Sequence, residues 1–380
     1  MIPYGRQSID DKDVEAVVSV LKSDYLTQGP QVPQFETTVA TYCGVAHAVA
    51  VNSATSALHI ACLALGAGPG DYVWTSPNTF VASANCARYC GAWVDFVDID
   101  PVTFNMCPDA LAEKLRRAEQ NGVLPKIVIP VHFAGLPCDM ARIHALAVQY
   151  GFSVIEDASH AIGARYEKTV VGDCQYSDVT VFSFHPVKII TTAEGGLATT
   201  KSASLARRMQ LLRSHGITRE NDELESKNEG LWYYEQKHLG FNYRMTDLHA
   251  ALGISQMARL DTWLARRHEI RESYEIAFVG SPMSLPSNPS ISRSALHLYP
   301  VQVENRREVF EKLRYAGIGV NVHYIPVHTQ PDFRKFGFDW GDFPNSEHYY
   351  RHALSLPMFA ALSEDDLAEV IDAVLMAIGS

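Results

Sequence analysis

The chain has 380 residues, 47% hydrophobic and 20% charged, with a formal net charge of −11 at pH 7. That length and balance describe a globular protein with ample apolar surface for a core, and suggest two domains. The acidic excess argues against a nucleic-acid binder, which needs clustered Lys and Arg; local donors still decide whether an anionic substrate binds.

The opening MIPYGRQSIDDKDVEAVVSVL has no basic segment followed by an apolar run, so no secretory signal is expected there. No stretch of about 18 uninterrupted apolar residues occurs, which predicts no transmembrane helix. Seven scattered cysteines, an odd number, predict free thiols in a reducing cytoplasm. Cys86 and Cys90 would share a helix face. Two thiols without a nearby His/Cys pair make a poor zinc site, and no metal is expected.

In chain order, AHAVAV (46–51) reads as a strand and SATSALHIACLALG (53–66) as the helix after it. DYVWTS (71–76) is the next strand, followed by helical VASANCARYCG. AWVDFVDI, PKIVIPVHF and FSVIEDA are three more β-branched runs, with helical PDALAEKLRRAEQNG and CDMARIHALAVQYG between them. SDVTVFSF and GGLATT add two strands, making seven. Strands alternating with helices predict an α/β fold with a mainly parallel sheet flanked by helices. Beyond about Lys201 helices dominate, in SLARRMQLLRSHG and MTDLHAALGISQMARLDTWLARRHEIRESYEIAF. SPMSLPSNPSIS (281–292) reads as a Pro- and Ser-rich loop. HLYPVQV, REVFEKLRYAGI, GVNVHYI and SEDDLAEVIDAVLMAIG predict strand, helix, strand and helix of a smaller α+β domain. The expected division is a large domain over 1–255 and a small one over 256–380.

Ligands of open α/β sheets bind outside the carboxyl ends of the strands, so the residues after each strand are the candidates. VNSATSALH puts Asn52, Ser53, Thr55 and Ser56 at a helix start, where free N–H groups and hydroxyls suit an anion. Simple N-capping by Ser53 explains the same residues. Phe80, in SPNTFVASAN, is either a core aromatic or a flat ring stacked on a flat ligand. IEDASHAIGA ends an apolar strand with Glu156 and Asp157, and a carboxylate there is costly unless paired or hydrogen-bonded. Asp157 either meets a core arginine or pairs with a cationic ring nitrogen of a cofactor. In FSFHPVKIITTAEGG, Lys188 stands between apolar residues. Desolvation lowers an amine's proton affinity and makes it a nucleophile suited to a Schiff base. The alternative is a buried stem whose ammonium reaches solvent. Ser183 adds a hydroxyl, and Gly195-Gly196 allows close backbone approach.

Together, a carboxylate ending one strand and a lysine shortly after a later one are the two protein groups that pyridoxal phosphate needs. The lysine binds the aldehyde carbon; the carboxylate keeps the ring nitrogen protonated. The Ser/Thr helix start would hold the phosphate, and the aromatic would cover the ring.

EDASHAIGA, VFSFHPVKIITTAEGG and LGFNYRMTD resemble the motifs of the DegT/DnrJ/EryC1/StrS sugar aminotransferases. The resemblance runs from LTQGPQVPQFE to HYIPVH and LSLPMF. Within that family the chain is similar to the aminotransferases of pseudaminic acid biosynthesis, on LTQG, VNSATSAL, SFH with ITTAEGG, RSHG, HLYP and VHYIP. The resemblance implies the type I aspartate aminotransferase fold and a homodimer with active sites at the subunit interface. It makes Lys188 the Schiff-base lysine, Asp157 the pyridinium partner and Phe80 the stacking aromatic. Thr55, Ser56 and Ser183 become phosphate binders. His160 stands near the ring hydroxyl and joins Lys188 and Asp157 as a catalytic candidate. Asn242 reaches the phosphate from the neighbouring subunit, and Tyr4, His323 and Tyr324 are candidates for the sugar-nucleotide pocket. Related sugar dehydratases carry His where this chain keeps Lys188, so transamination is expected. The implied reaction moves an amino group from L-glutamate to C4 of a UDP-linked 4-keto-6-deoxy-N-acetylhexosamine, with another UDP- or dTDP-linked 4-keto sugar as the alternative. Intact Lys188 and Asp157 disfavour a non-catalytic regulator on this fold. The absence of G-x-G-x-x-G after the first strand disfavours a nicotinamide enzyme.

Overall fold

A computed structural model describes residues 1–226, 229–287 and 289–379. Residue 288, within the expected 281–292 loop, lies outside the described residues.

Seven strands form one sheet: β1 (His47–Val51), β2 (Tyr72–Thr75), β3 (Trp93–Phe96), β4 (Ile127–Ile129), β5 (Ser153–Asp157), β6 (Val179–Ser183) and β7 (Gly196–Thr200). Their order is β1-β7-β6-β5-β4-β2-β3. Neighbours from β6 through β3 run parallel, whereas β7 is antiparallel to both β1 and β6. A parallel neighbour requires a long crossover, while the direct return from β6 through residues 184–195 holds no helix and delivers an antiparallel strand.

Helices α1 (Asp11–Leu21) and α2 (Gln31–Cys43) precede β1, and α3 (Ala54–Ala64), α4 (Ala82–Tyr89), α5 (Pro108–Asn121) and α6 (Met140–Tyr150) follow β1 to β4 in turn. After β7 come α7 (Ala203–Arg213), α8 (Asp247–Met257) and α9 (Leu260–Ala277). The single helical run expected over 245–278 is thus two helices, parted at Ala258 and Arg259. Strand alternation sorts β1 between two layers: Val49 and Val51 pack with α3, α4 and α7, while Ala48 and Ala50 pack with α2, α8 and the start of α9. Being covered on both faces, the strands are near-continuously apolar.

The C-terminal part builds a separate core. A two-stranded pair, β8 (Tyr299–Gln302) and β9 (Ala353–Leu356), packs with α10 (Arg306–Tyr315) and with the long C-terminal helix Glu364–Ile378. Helix α9 feeds both cores: Trp263 and Leu264 join the sheet side, and Ile270 and Tyr274 join the C-terminal side. The strand expected at GVNVHYI does not form. Only Asn321 is bridged, to Ser355, and the partner of β8 is β9 instead. His323 and Tyr324 are consecutive yet both face one cavity, which the side-to-side alternation of a strand forbids. The N-terminal segment is stitched to this part through Gly319 N–H to Ile2 O at 2.6 Å and Met358 N–H to Tyr4 O at 3.0 Å. Among the described residues, no helix is long and apolar enough to cross a membrane.

Strand alternation also separates the adjacent carboxylates at the end of β5. Glu156 turns away from the cavity that Asp157 lines. It accepts hydrogen bonds from His132 Nε2 at 2.7 Å, Ser177 Oγ at 2.5 Å and Thr180 Oγ1 at 3.0 Å. Burial alone would raise the Glu156 carboxyl pKa, but these donors hold it below its ordinary value. Its stabilising contribution is therefore present above the unfolded value of about 4.3 and is lost as pH falls through the lower folded value. Glu156→Gln is expected to lower stability at pH 7 by about 1–3 kcal/mol in denaturant titrations. The difference from wild type should shrink below about pH 4; a constant gap on acidification would contradict this role.

Candidate active site

At the carboxyl ends of β5 and β6 the chain encloses a cavity of about 420 Å³. Nine of the eleven residues to which the resemblance gives a role line it: Thr55 and Ser183 beside the α3 start, Asp157 and Lys188, and Phe80, His160, Tyr4, His323 and Tyr324 around them.

The α3 end of the cavity is made by backbone. Ser53 is the N-cap, and its Oγ accepts the Ser56 N–H at 3.2 Å. The N–H groups of Ala54 and Thr55, in the first turn, have no intrahelical acceptor, which suits this end to an anion. A Cβ on Gly196 would sit 2.3 Å from Ala54 N, so only glycine lets β7 pass this close beneath the helix start. Ser53, Ala54 and Thr55 all line the cavity. The capping reading and the anion reading of this stretch therefore hold together: Ser53 caps and the next two residues remain open. Ser56, by contrast, is not among the lining residues. Its hydroxyl donates to Asn52 Oδ1 at 2.7 Å, because the capped turn rotates residue 56 inward. Asn242 is also not brought to the cavity of its own chain; it lies in a bridge to Ser214.

Among the described residues, Asp157 meets no arginine. Its Oδ2 accepts from Ser83 Oγ at 2.6 Å and its Oδ1 from Ser159 N–H at 3.1 Å. Lys188 follows β6 in a turn closed by its N–H to His185 O at 2.9 Å. It is half-buried, and part of its surface lines the cavity rather than reaching bulk water. Burial lowers its amine pKa to about 8, against a partial opposing pull from the Asp157 charge. Roughly a tenth of such amines are uncharged at pH 7, against less than a thousandth for an ordinary lysine.

The remaining walls are aromatic. Phe80 is 60% exposed, which removes the core-aromatic reading and leaves its ring open at the cavity. It lies 6.4 Å from the Tyr324 ring. One nitrogen of His160, Nε2, bonds the Tyr324 hydroxyl at 3.1 Å. The other, Nδ1, is buried without a protein partner. Burial pushes the His160 pKa well below its ordinary value, keeping the ring neutral, and pushes the Tyr324 phenol up. His323 is held between Ser355 Oγ at 2.8 Å and Asn321 Nδ2 at 3.3 Å, and burial lowers its pKa to about 3.

Several lining residues escaped the sequence reading, among them Thr79, Ser83, Glu194 and Asn321. Thr79 and Ser83 carried a usable signal, two hydroxyls four apart at a helix start. Asn321 carried none, since the expected strand put it in a ladder.

The arrangement fits pyridoxal phosphate. An anion-accepting helix start, a neutralisable amine, a carboxylate without a cationic partner, a neutral His160 ring and an open aromatic face share one cavity. Residues 7–375 match the DegT/DnrJ/EryC1/StrS aminotransferase family. The chain is 41% identical over 384 residues to spore coat polysaccharide biosynthesis protein SpsC of Bacillus subtilis, covering 98% of this chain and 96% of that protein. It is 38% identical over 380 residues to the UDP-4-amino-4,6-dideoxy-N-acetyl-beta-L-altrosamine transaminase of Campylobacter jejuni, with the same coverage of 98% and 96%. Among solved structures, the putative sugar aminotransferase Spr1654 of Streptococcus pneumoniae in its PMP form superposes with a TM-score of 0.91 at 30% identity, covering 100% of this chain and 99% of that one. The same protein has also been solved in a PLP form. This chain thus belongs to the DegT/DnrJ/EryC1/StrS aminotransferases, as a sugar aminotransferase whose cofactor is pyridoxal phosphate.

Proposed function

We propose that this enzyme moves an amino group from L-glutamate to C4 of UDP-2-acetamido-2,6-dideoxy-β-L-arabino-hexos-4-ulose. The product is UDP-4-amino-4,6-dideoxy-N-acetyl-β-L-altrosamine, within pseudaminic acid biosynthesis. The observation that carries the reading is the meeting of Lys188 and Asp157 in one cavity, with an aromatic wall and an anion-accepting helix start beside them. The sugar rests on the motifs shared with that subgroup and on the likeness to the Campylobacter jejuni transaminase. Another UDP- or dTDP-linked 4-keto-6-deoxy sugar is the alternative.

Bound pyridoxal phosphate supplies a carbon that exchanges amines and a ring that takes up the electron pair released at the α-carbon of the amino donor. In this reading Lys188 holds the cofactor between turnovers, and its uncharged amine moves a proton to and from the reacting carbon as general base and acid. Asp157 accepts the ring N–H, so the nitrogen stays cationic. The Ala54 and Thr55 N–H groups, with the Thr55 and Ser183 hydroxyls, hold the phosphate. Phe80 would cover one ring face, and His160 would stand beside the ring hydroxyl. Tyr4, His323 and Tyr324 shape the sugar side and exclude water. Residues 1–255 would then carry the cofactor, and 256–380 would close the sugar side. The active unit is a homodimer in which Asn242 of a second copy reaches the phosphate; its place away from its own cavity supports this. The compartment is the cytoplasm, which keeps the seven free thiols reduced.

Lys188→Ala should abolish turnover and the mass increment trapped by borohydride reduction of the holoenzyme, while still retaining the aminated cofactor in gel filtration. Full turnover in that variant would exclude the role. Asp157→Asn should lose at least about a hundredfold in turnover with little change in melting temperature. In protein stripped of cofactor, acylation of Lys188 followed by peptide mass spectrometry should be half-maximal near pH 8. A midpoint near the ordinary lysine value of about 10.4 would place the amine in water. Incubation with glutamate and a panel of 4-keto nucleotide sugars, with products identified by NMR, decides the sugar. Turnover confined to sugars lacking the 2-acetamido group would overturn the proposed substrate.

A further inference from the structure

Two hydroxyls without a part in the reading above converge on Asp157. Ser83 Oγ lies 2.6 Å from Asp157 Oδ2, and Thr79 Oγ1 lies 2.7 Å from Ser83 Oγ. All three residues are buried. A carboxylate only accepts hydrogen bonds, so Ser83 donates to Asp157. The single Ser83 proton is then committed, and Ser83 Oγ accepts from Thr79. The direction of both protons is fixed by the negative end of the chain, and the aligned dipoles reinforce each other.

The backbone holds this chain in place. Ser83 N–H donates to Phe80 O at 3.2 Å, and Ser83 O accepts the Cys86 thiol at 3.2 Å. Asp157 is pinned on both sides, its N–H donating to Pro130 O at 2.9 Å and its O accepting His132 N–H at 3.0 Å. Ser159 N–H occupies Oδ1. With one donor on each oxygen, the carboxylate plane cannot turn without breaking a buried hydrogen bond. Asp157 also lines the cavity.

We propose that Ser83, backed by Thr79, is a positioning residue for the reaction. It fixes the Asp157 carboxylate in one orientation and stabilises its negative charge, so that the cofactor ring nitrogen meets a preset acceptor. The inference rests on the reading of Asp157 as the ring-nitrogen partner. Without the Ser83 donor one carboxylate oxygen is released and the carboxylate can turn, so the effect reaches the cofactor through the orientation of Asp157.

The test compares Ser83→Ala, Ser83→Thr, Thr79→Val and Asp157→Asn as holoenzymes, reading cofactor affinity and the pH titration of the bound cofactor's absorbance. Ser83→Ala should weaken cofactor binding on the order of tenfold and move the titration in the same direction as Asp157→Asn does. Ser83→Thr should restore both, and Thr79→Val should shift the titration in the same sense by less. Wild-type affinity and titration in Ser83→Ala, while Asp157→Asn alters both, overturns the positioning role and leaves the Asp157 reading standing. A lower melting temperature in Ser83→Ala with an unchanged titration assigns the hydroxyl to structure alone and also overturns it. If Ser83→Ala does not fold, an unshifted titration in Thr79→Val does the same. Wild-type absorbance in Asp157→Asn overturns the reading of Asp157 itself.

Discussion

A carboxylate at the end of a buried strand is the constraint around which this molecule is arranged. Asp157 closes β5, in the middle of a sheet covered on both faces. An ionised group there costs several kcal/mol unless donors replace its water. The chain supplies two, a serine hydroxyl and a backbone N–H, and no cation within ion-pairing distance among the described residues. Supplying donors and withholding a full positive charge leaves the carboxylate able to accept one more proton-bearing group from the cavity. Its neighbour Glu156 shows the opposite solution. On the other face of the same strand it is surrounded by His132, Ser177 and Thr180, and has no capacity turned to the cavity.

The amine is tuned by the same burial that burdens the carboxylate. Desolvation acts against any charged form, so it lowers the lysine pKa, and the nearby Asp157 charge recovers only part of the difference. The buried rings of His160 and His323 are kept neutral by burial as well. The cavity therefore holds two carboxylates, Asp157 and Glu194, one amine poised between its two forms, and the neutral rings of His160 and His323. That distribution suits chemistry in which a proton moves between carbon and nitrogen at neutral pH.

Two cores hold these groups in register. The sheet carries Asp157 at the end of β5, and the segment after Ile318 and Val320 of the C-terminal core brings Asn321, His323 and Tyr324 to the same cavity. Tyr4 arrives with them because the N-terminal segment is bonded to residues 319 and 358. Helix α9 packs into both cores, so a movement of one against the other must bend or tilt that helix.

The seven strands and their flanking helices were legible from periodicity alone, because burial on both faces demands unbroken β-branched runs and the crossovers demand amphipathic helices. That Lys188 and Asp157 belong together was also legible, since a charged residue inside or at the end of an apolar run needs a polar place to face, and both line one cavity. What the sequence could not decide were features set by distant contacts. GVNVHYI has the composition of a strand, yet β9 takes the place beside β8, and the segment turns its side chains to the cavity. The short pairings of Arg165–Tyr166 with Thr169–Val170 and with Ser292–Arg293 are too brief to leave a period. Ser53 and Ser56 are alike in the sequence, and only the capped turn aims one at the cavity and the other at Asn52. Ser83 stands 74 positions from Asp157, and only the packing of α4 against the strand ends brings the hydroxyl to the carboxylate. Local composition determines which elements form and which residues are out of place in them; the meeting of those residues depends on pairing and packing between segments far apart in the chain, which no local pattern records.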